Sequence, residues 1–209
     1  MNCAGFTTPF TPFPINLCLE YGIDHEHPED QPLNLKGTLI LADPSMRDPN
    51  FFRAVLILTE HSHQVGAHGY VLNRPLGKKV SDILSTEASP GIAGVPVFIG
   101  GPVSQEQLTF AALSWNKKTR SVVFTSHLSS EDASDRLTDG AVVRAYVGYS
   151  GWGEGQLESE LQQRAWITAQ TKKNVLRKGK IDRLWGDILR SMGPYYKLVA
   201  LTPDDPTLN

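Results

Sequence analysis

The chain has 209 residues, and its 40% hydrophobic content is enough to build the core of one domain. Its formal net charge of −2 lacks the basic excess of nucleic-acid-binding modules, and no run of about 18 or more apolar residues predicts a membrane span. The first basic residue is Lys36, so the positive start of a secretory leader is missing, and we expect a cytoplasmic protein without a membrane partner.

The first 36 residues differ in composition from the rest of the chain. Prolines interrupt the apolar stretch FTTPFTPFPIN, and the stretch GIDHEHPEDQP is acidic and polar. Residues 1–36 are therefore predicted to form a flexible, proline-rich acidic arm. Both cysteines, Cys3 and Cys18, fall within this arm, which excludes a catalytic thiol in the rest of the chain. Residues 37–209 are predicted to form a single domain.

The first half of this domain is rich in strand signals. Apolar runs between turn residues predict strands at GTLILA (37–42), FFRAVLILTE (51–60), YVLN (70–73), VPVFIG (95–100), QLTFAAL (107–113) and SVVFTS (121–126). The second and third of these runs are separated by the polar loop HSHQVGAHG, which predicts a hairpin. Between the third and fourth runs, KKVSDILS (78–85) predicts a short helix.

The second half mixes helices with strands. Ser129 is a predicted N-cap with a capping-box-like pattern after it, and Gly140 is the predicted end of that helix. IDRLWGDILRSMGP (181–194) carries an apolar stripe at helical spacing, while AWITA (165–169) and YYKLVALT (195–202) predict the last two strands. Strands outnumber helices without a regular βαβ rhythm, which favours an α+β domain over a doubly wound sheet.

The stretch VGYSGWGEGQLESEL joins a predicted strand at 141–149 to a helix with Leu157 and Leu161 on one face. Its glycines could cradle a phosphate, but it lacks both nucleotide-binding fingerprints and carries carboxylates at the helix start. It could expose Ser150 as a nucleophile, but Trp152 stands where the G-x-S-x-G elbow needs glycine. We favour a third interpretation, a tight strand-to-helix turn that seats Trp152 against the core or in a cleft.

Two further polar groups are candidate sites. Zinc could bind His61, His63 and His68 of the hairpin loop, but the spacing has low specificity, and local hydrogen bonds made by Glu60 and His61 are the favoured interpretation. We therefore predict no metal and no cofactor. The pair Asn73-Arg74 ends a predicted strand and suits a ligand clamp, because arginine offers a planar fork of donors. The same arginine could instead bind a loop carbonyl, and both interpretations stay open.

Four stretches, in this order, carry a family resemblance: LADPSMRDPNFFRAVLILTEH, GAHGYVLNRPL, VFIGGPV and GYSGWGEGQLESELQQRAWITA. Together they resemble the YqgE/AlgH family of small bacterial proteins over residues 37–193. The resemblance implies an irregular α+β fold with a split sheet, part of it curled into a small barrel, flanked by helices. It implies no established biochemical activity, and a connection with transcriptional regulation of exopolysaccharide production gives the family part of its name.

The leading functional hypothesis is a non-enzymatic protein that holds a small molecule or a partner protein in a cleft, with the role in transcriptional regulation that the resemblance implies. The candidate ligand-binding residues are Glu60, His61, Asn73, Arg74, Gly100, Gly101, Tyr149, Trp152 and Gln156. One alternative is a hydrolase that uses Glu60 and His61 as acid and base. Another is a scaffold whose motifs are wholly architectural. The low net charge does not support a nucleic acid as the partner.

Overall fold

A computed structural model of the chain describes residues 34–84, 90–176, 179 and 181–201. The predicted arm, residues 1–36, lies outside the described residues except for positions 34–36, so its division from the domain stays a prediction. The described residues form a mixed sheet, curled into a half-barrel, with several helices packed around it. This architecture confirms the predicted α+β class.

The sheet has nine strands within the described residues. They are β1 (Leu39–Ala42), β2 (Val55–Ser62), β3 (Gly66–Val71), β4 (Pro75–Lys79), β5 (Pro96–Ile99), β6 (Val103–Asn116), β7 (Ser121–Leu128), β8 (Val142–Trp152) and β9 (Trp166–Ala169). Their order is β4-β5-β8-β3-β2-β1-β9, and off this path β6 pairs with both β7 and β8. The pairing of β5 with β8 is parallel, whereas the other pairings are antiparallel, including the predicted β2–β3 hairpin.

Strand β8 connects the two parts of the sheet. One edge of β8 pairs with β5 at Ala145–Val147 and then with β3 at Ser150–Trp152, while the other edge pairs with β6. The change of partner takes place around Gly148, whose φ is +69°. A Cβ at this position would lie 2.6 Å from the carbonyl oxygen of Gly101. The close approach of β8 to the backbone at Gly101 therefore requires a glycine.

The described residues also form four α-helices and three 3₁₀ turns. The helices are α1 (Ser130–Thr138), α2 (Gln156–Gln162), α3 (Leu184–Arg190) and α4 (Pro194–Val199), and the 3₁₀ turns are Val80–Asp82, Lys173–Leu176 and Ile181–Arg183. The predicted cap of α1 is confirmed, because Ser129 Oγ accepts a hydrogen bond from the Asp132 amide at 3.0 Å. The helix predicted at 78–85 is reduced to the first of the 3₁₀ turns. No helix in this part of the chain has the length and apolar character needed to cross a bilayer.

The last strand, predicted at residues 195–202, is wrong, because the chain forms α4 up to Val199. The preceding helix α3 already ends at Arg190, and Gly193-Pro194 instead begins a new helix, with Gly193 as its N-cap. Proline suits the first position of a helix, where its missing N–H would have no partner and its fixed φ is already helical. The aromatic pair Tyr195-Tyr196 favours a strand only where a neighbouring strand can cover it, and Tyr195 is 71% exposed here.

Both faces of the sheet are buried around β1 and β2, which explains why these strands are continuously apolar rather than alternating. Odd-numbered residues such as Leu39 and Ile57 pack in a cluster with Trp185 of α3. Even-numbered residues such as Ile40 pack on the opposite face in a cluster that includes Trp152 and Trp166. The second cluster lies beneath the glycine-rich turn that the sequence singled out.

Candidate functional site

The glycine-rich stretch forms the tight strand-to-helix turn expected from the sequence. Strand β8 ends at Trp152 and α2 begins at Gln156, with Gly155 in the left-handed region at φ +66° as the N-cap. The Gln156 side-chain oxygen accepts a hydrogen bond from the Gly153 amide at 3.0 Å and so closes the turn on itself. The Trp152 side chain is buried in the core, not held open in a cleft.

The carboxylate of Glu160 joins this turn to β9. Its Oε2 accepts hydrogen bonds from the indole nitrogens of Trp152 at 2.9 Å and Trp166 at 2.7 Å. Its Oε1 accepts a hydrogen bond from the Gln156 amide at 2.9 Å. Both oxygens are therefore engaged, and the two indole rings meet edge to face at 5.9 Å. Glu160 and Trp166 are not among the candidate residues selected from the sequence, although both lie in the stretches that carry the family resemblance.

Glu60 and His61 lie on opposite faces of β2, as adjacent strand residues do. Glu60 is exposed, whereas the His61 side chain is only 3% exposed and faces Glu158 of α2, with Nε2 3.1 Å from a carboxylate oxygen. These two atoms are close but do not form a hydrogen bond of good geometry. The other ring nitrogen, Nδ1, accepts a hydrogen bond from the Leu35 amide at 3.3 Å. The acid/base pair of the hydrolase hypothesis is thus not assembled.

Asn73 and Arg74 both bind the backbone that precedes β2. The buried Asn73 amide accepts from the Val55 N–H at 2.8 Å and donates to the Arg53 carbonyl at 2.9 Å. The Arg74 guanidinium donates to the Phe52 carbonyl, and burial lowers the pKa of this arginine from its ordinary value. The structure therefore favours the loop-carbonyl interpretation of Arg74 over the ligand clamp.

Gly100 and Gly101 lie where the turn between β5 and β6 presses against β8. A Cβ at Gly100 would lie 2.2 Å from the Gly148 carbonyl oxygen, so these positions have no room for a side chain. Tyr149 of β8 is partly buried against the core and stacks on His68 at 4.8 Å. Within the described ranges, no group of three or more His, Cys, Asp or Glu side chains is arranged to hold a metal ion.

Trp152 and Arg74, which were expected to line one cleft, lie at different ends of β3. Trp152 pairs with Ala67 near the start of β3, whereas Arg74 follows the end of that strand. The strand from Ala67 to Val71 alone corresponds to about 13 Å, and the chain bends at Leu72 and Asn73 before it reaches Arg74. The cavities described below include neither residue. A ligand-binding role for the residues selected from the sequence stays a prediction.

Two hollows lie elsewhere in the described residues, and neither was predicted from the sequence. The larger is a cleft of about 810 Å³ whose walls include Arg47, Arg164, the β9 segment 166–168, and Tyr195 with Tyr196 of α4. We call it the β9 cleft. The smaller, of about 450 Å³, lies beside the starts of β5 and β8 and includes Arg144 in its lining. We call it the Arg144 cavity.

Comparison with known proteins gives a consistent result. The family described as AlgH-like matches residues 39–197. A UPF0301 protein of Streptomyces avermitilis is 37% identical over 192 residues, which cover 84% of this chain and 96% of that protein. A UPF0301 protein of Chlorobium limicola is 32% identical over 183 residues, which cover 83% and 95%. These relatives span nearly their whole length in the match.

Two solved structures resemble this fold. The crystal structure of protein DIP2367 from Corynebacterium diphtheriae has a TM-score of 0.63 at 20% identity and covers 82% of this chain and 94% of that one, which shows the fold alone. The solution structure of the AlgH protein from Pseudomonas aeruginosa has a TM-score of 0.56 at 27% identity and covers 83% and 97%. The resemblance seen in the sequence is confirmed, and the chain belongs to the AlgH-like family of uncharacterised bacterial proteins.

Proposed function

We propose that this protein is a non-catalytic binding protein that captures an extended acidic segment of a partner protein in the β9 cleft. The observation that supports this proposal is the unpaired edge of β9, which forms one wall of the cleft. An extended peptide can add to such an edge as a further strand, with main-chain hydrogen bonds for affinity and neighbouring pockets for specificity.

The direction of the backbone groups on β9 follows from its pairing with β1. The Asp43 amide donates to the Ala165 carbonyl at 2.9 Å, and the register continues with Trp166 opposite Ala42 and Thr168 opposite Ile40. Hydrogen-bonded and non-hydrogen-bonded pairs alternate in an antiparallel ladder. Trp166 and Thr168 therefore direct their N–H and C=O groups away from β1, where no other strand of the described sheet pairs with them.

The side chains around this edge suit an acidic peptide. Tyr195 is 71% exposed on α4 and offers an aromatic surface beside the strand. Arg47 and Arg164 supply two cations to the cleft, against the single carboxylate of Asp43. Tyrosine and arginine are the side chains that most often dominate the energy of protein interfaces.

A role in transcriptional regulation, which the family resemblance implies, fits this proposal through a protein partner. The chain carries a net charge of −2, and direct binding to DNA depends strongly on an excess of lysine and arginine. We therefore propose that such a role would use the β9 cleft to bind another protein rather than DNA. The hydrolase alternative has less support, because Glu60 and His61 lie on opposite faces of β2.

A displayed library of random peptides, selected on the full-length protein, tests the proposal. We expect the enriched peptides to be extended in character and to carry acidic residues. Their affinity is then measured by fluorescence anisotropy for the wild type and for Thr168→Pro. Proline removes one outward N–H and is tolerated at an edge strand, so binding should weaken at least tenfold while the fold is kept.

Thr168→Val is the matched control, because it changes the side chain and keeps the N–H of the strand. We expect it to bind the selected peptides within about twofold of the wild type, since its main-chain hydrogen bonds are intact. Equal affinity of the wild type and Thr168→Pro, with circular dichroism spectra that agree, would show that peptides do not add to β9.

A further inference from the structure

Arg144 is a charged residue in the centre of an apolar strand. It lies in β8 between the buried residues Val143 and Ala145, and only 2% of its surface is exposed. Taking a charge out of water costs several kcal/mol unless a partner of opposite charge or a full set of hydrogen bonds replaces the lost hydration. The contacts of its guanidinium therefore show whether the protein alone compensates this charge.

The protein supplies only part of what this guanidinium needs. One terminal nitrogen donates to the Leu72 carbonyl at 3.0 Å, and the other donates to the Val175 carbonyl at 3.5 Å, which is a long hydrogen bond. The Phe98 ring covers the guanidinium at 4.6 Å. An arginine has five N–H donors, so two neutral carbonyls leave most of them without a strong acceptor.

No negative charge compensates Arg144 within residues 34–84, 90–176 and 181–201. The ion pairs of His61 with Glu158 and of Arg190 with Asp187 do not involve Arg144. The buried Tyr146 hydroxyl lies beside the Arg144 guanidinium as a further neutral oxygen, but it is not aligned for a hydrogen bond of good geometry. Burial raises the pKa of Tyr146, which Arg144 only partly offsets, so the phenol is neutral at physiological pH and supplies no countercharge.

The same arginine lines the Arg144 cavity, whose volume of about 450 Å³ is within the range of small-molecule sites. Phe98, which stacks on the guanidinium, lines it too, together with the apolar side chains of Val95, Leu137 and Ile181. The cavity thus combines one buried cation with largely apolar walls. Its chemistry is complementary to a molecule that has one anionic group and an apolar body.

We propose that the Arg144 cavity binds a small monocarboxylate with an apolar body, and that its carboxylate pairs with Arg144. The planar guanidinium matches the two oxygens of a carboxylate, which would supply the missing charge and accept the remaining N–H groups. A phosphate monoester fits less well, because it would bring nearly two charges and a larger hydration shell to a single cation. This site is separate from the β9 cleft, so either proposal can fail without the other.

Titration of the full-length protein with octanoate and benzoate, followed by calorimetry, tests the proposal. We expect at least one of these acids to bind saturably with one molecule per chain. Octanamide and benzamide have the same apolar bodies without the charge, and we expect them to bind at least tenfold more weakly. The preference for the acid should vanish in Arg144→Met, which keeps the length of the side chain and removes its charge.

A second variant tests the location independently of charge. Gly94 lines the cavity, and a Cβ at this position would meet no other atom within 4 Å, so we expect Gly94→Leu to place an apolar side chain in the cavity. We expect it to weaken binding of the acid at least tenfold. Arg136→Met removes a charge from the exposed side of α1 and should leave the affinity unchanged.

Three results would overturn the proposal. The first is the absence of saturable binding for both acids, and the second is equal affinity for acid and amide in the wild type. The third is an acid affinity that neither Arg144→Met nor Gly94→Leu changes, with both variants folded by circular dichroism. Because none of these measurements involves a peptide, they leave the proposal for the β9 cleft untouched.

Discussion

Glu160 and Arg144 lie in different parts of the molecule and differ in how completely the protein satisfies them. The two oxygens of Glu160 accept three N–H groups from Trp152, Trp166 and Gln156. The guanidinium of Arg144 has five donors, and the described residues offer it two neutral carbonyls. A charge whose hydrogen bonds are complete holds the fold together, whereas a buried charge with open donors indicates a place for something else.

The same distinction applies to the motif residues. Asn73, Arg74 and Gln156 all direct their polar groups to the backbone or side chains of the protein itself. The polar and glycine residues of this motif therefore form a turn whose hydrogen bonds are made within the protein. The open polar chemistry lies at Arg144 and along β9, outside the candidate ligand-binding residues selected from the sequence.

Replacement of Glu160 by alanine should give the largest loss of stability. It leaves two indole N–H groups without an acceptor in a buried setting, and each such group costs about 1–3 kcal/mol. We expect the free energy of unfolding to fall by about 4 kcal/mol and the melting temperature to fall by about 10 °C. Calorimetry measures both quantities. The exposed Glu131 of α1 is the control, and Glu131→Ala should change the free energy by less than about 0.5 kcal/mol.

If Glu160→Ala lowered the melting temperature by no more than its control, Glu160 would not clamp the turn to β9. Glu160→Gln sharpens the comparison further. The amide keeps one oxygen as an acceptor but loses the charge, so we expect a smaller loss than for alanine, of about 2 kcal/mol.

Arg74→Ala should have a moderate effect. Its guanidinium donates to the Phe52 carbonyl and is partly buried, so the substitution removes one charge-assisted hydrogen bond. We expect a loss of about 1–2 kcal/mol and a fall of a few degrees in melting temperature. An unchanged melting temperature would instead support the ligand-clamp interpretation. The measurement thus decides between the two interpretations that the sequence left open.

The sequence predicts local structure well where one residue type has one favourable conformation. The cap at Ser129, the glycine turn before α2 and the apolar runs of β1 and β2 all follow from local chemistry. The strand predicted at residues 195–202 is wrong, because aromatic residues fit either a strand or a helix, depending on which neighbouring element covers them. The segment is helical rather than extended because no strand of the described sheet pairs with it, and no local sequence pattern reveals this.

The candidate sites were harder to predict because they depend on contacts that are distant in sequence. The run AVVRAYVG does carry a signal, since a charge stands in the middle of a buried strand. Whether Arg144 has a partner, however, depends on Leu72 and Val175, which are 72 and 31 residues away. Likewise, which edge of β9 is free depends on its pairing with β1, which is distant in the sequence.

Alkaline conditions should produce a smaller effect, centred on the tyrosines near Arg144. Burial raises the pKa values of Tyr146 and Tyr70, so the folded protein keeps these protons when the unfolded chain releases them at about pH 10. Their contribution to stability is complete below pH 10 and is lost as the pH rises toward their folded values. Urea unfolding at about pH 9 and about pH 11 should show this loss. It should be smaller in Tyr146→Phe and unchanged in Tyr195→Phe, whose ring is 71% exposed.

Arg144→Met should have the smallest effect on stability, which is the sharpest contrast with Glu160. The substitution leaves the Leu72 and Val175 carbonyls without their donor, a loss of about 1–3 kcal/mol for each buried group. It also removes an uncompensated buried charge, whose desolvation costs several kcal/mol. Because these terms oppose each other, we expect the free energy of unfolding in urea to fall by no more than about 1 kcal/mol. A fall as large as that of Glu160→Ala would place Arg144 among the structural residues and leave its cavity without a reason to hold an anion.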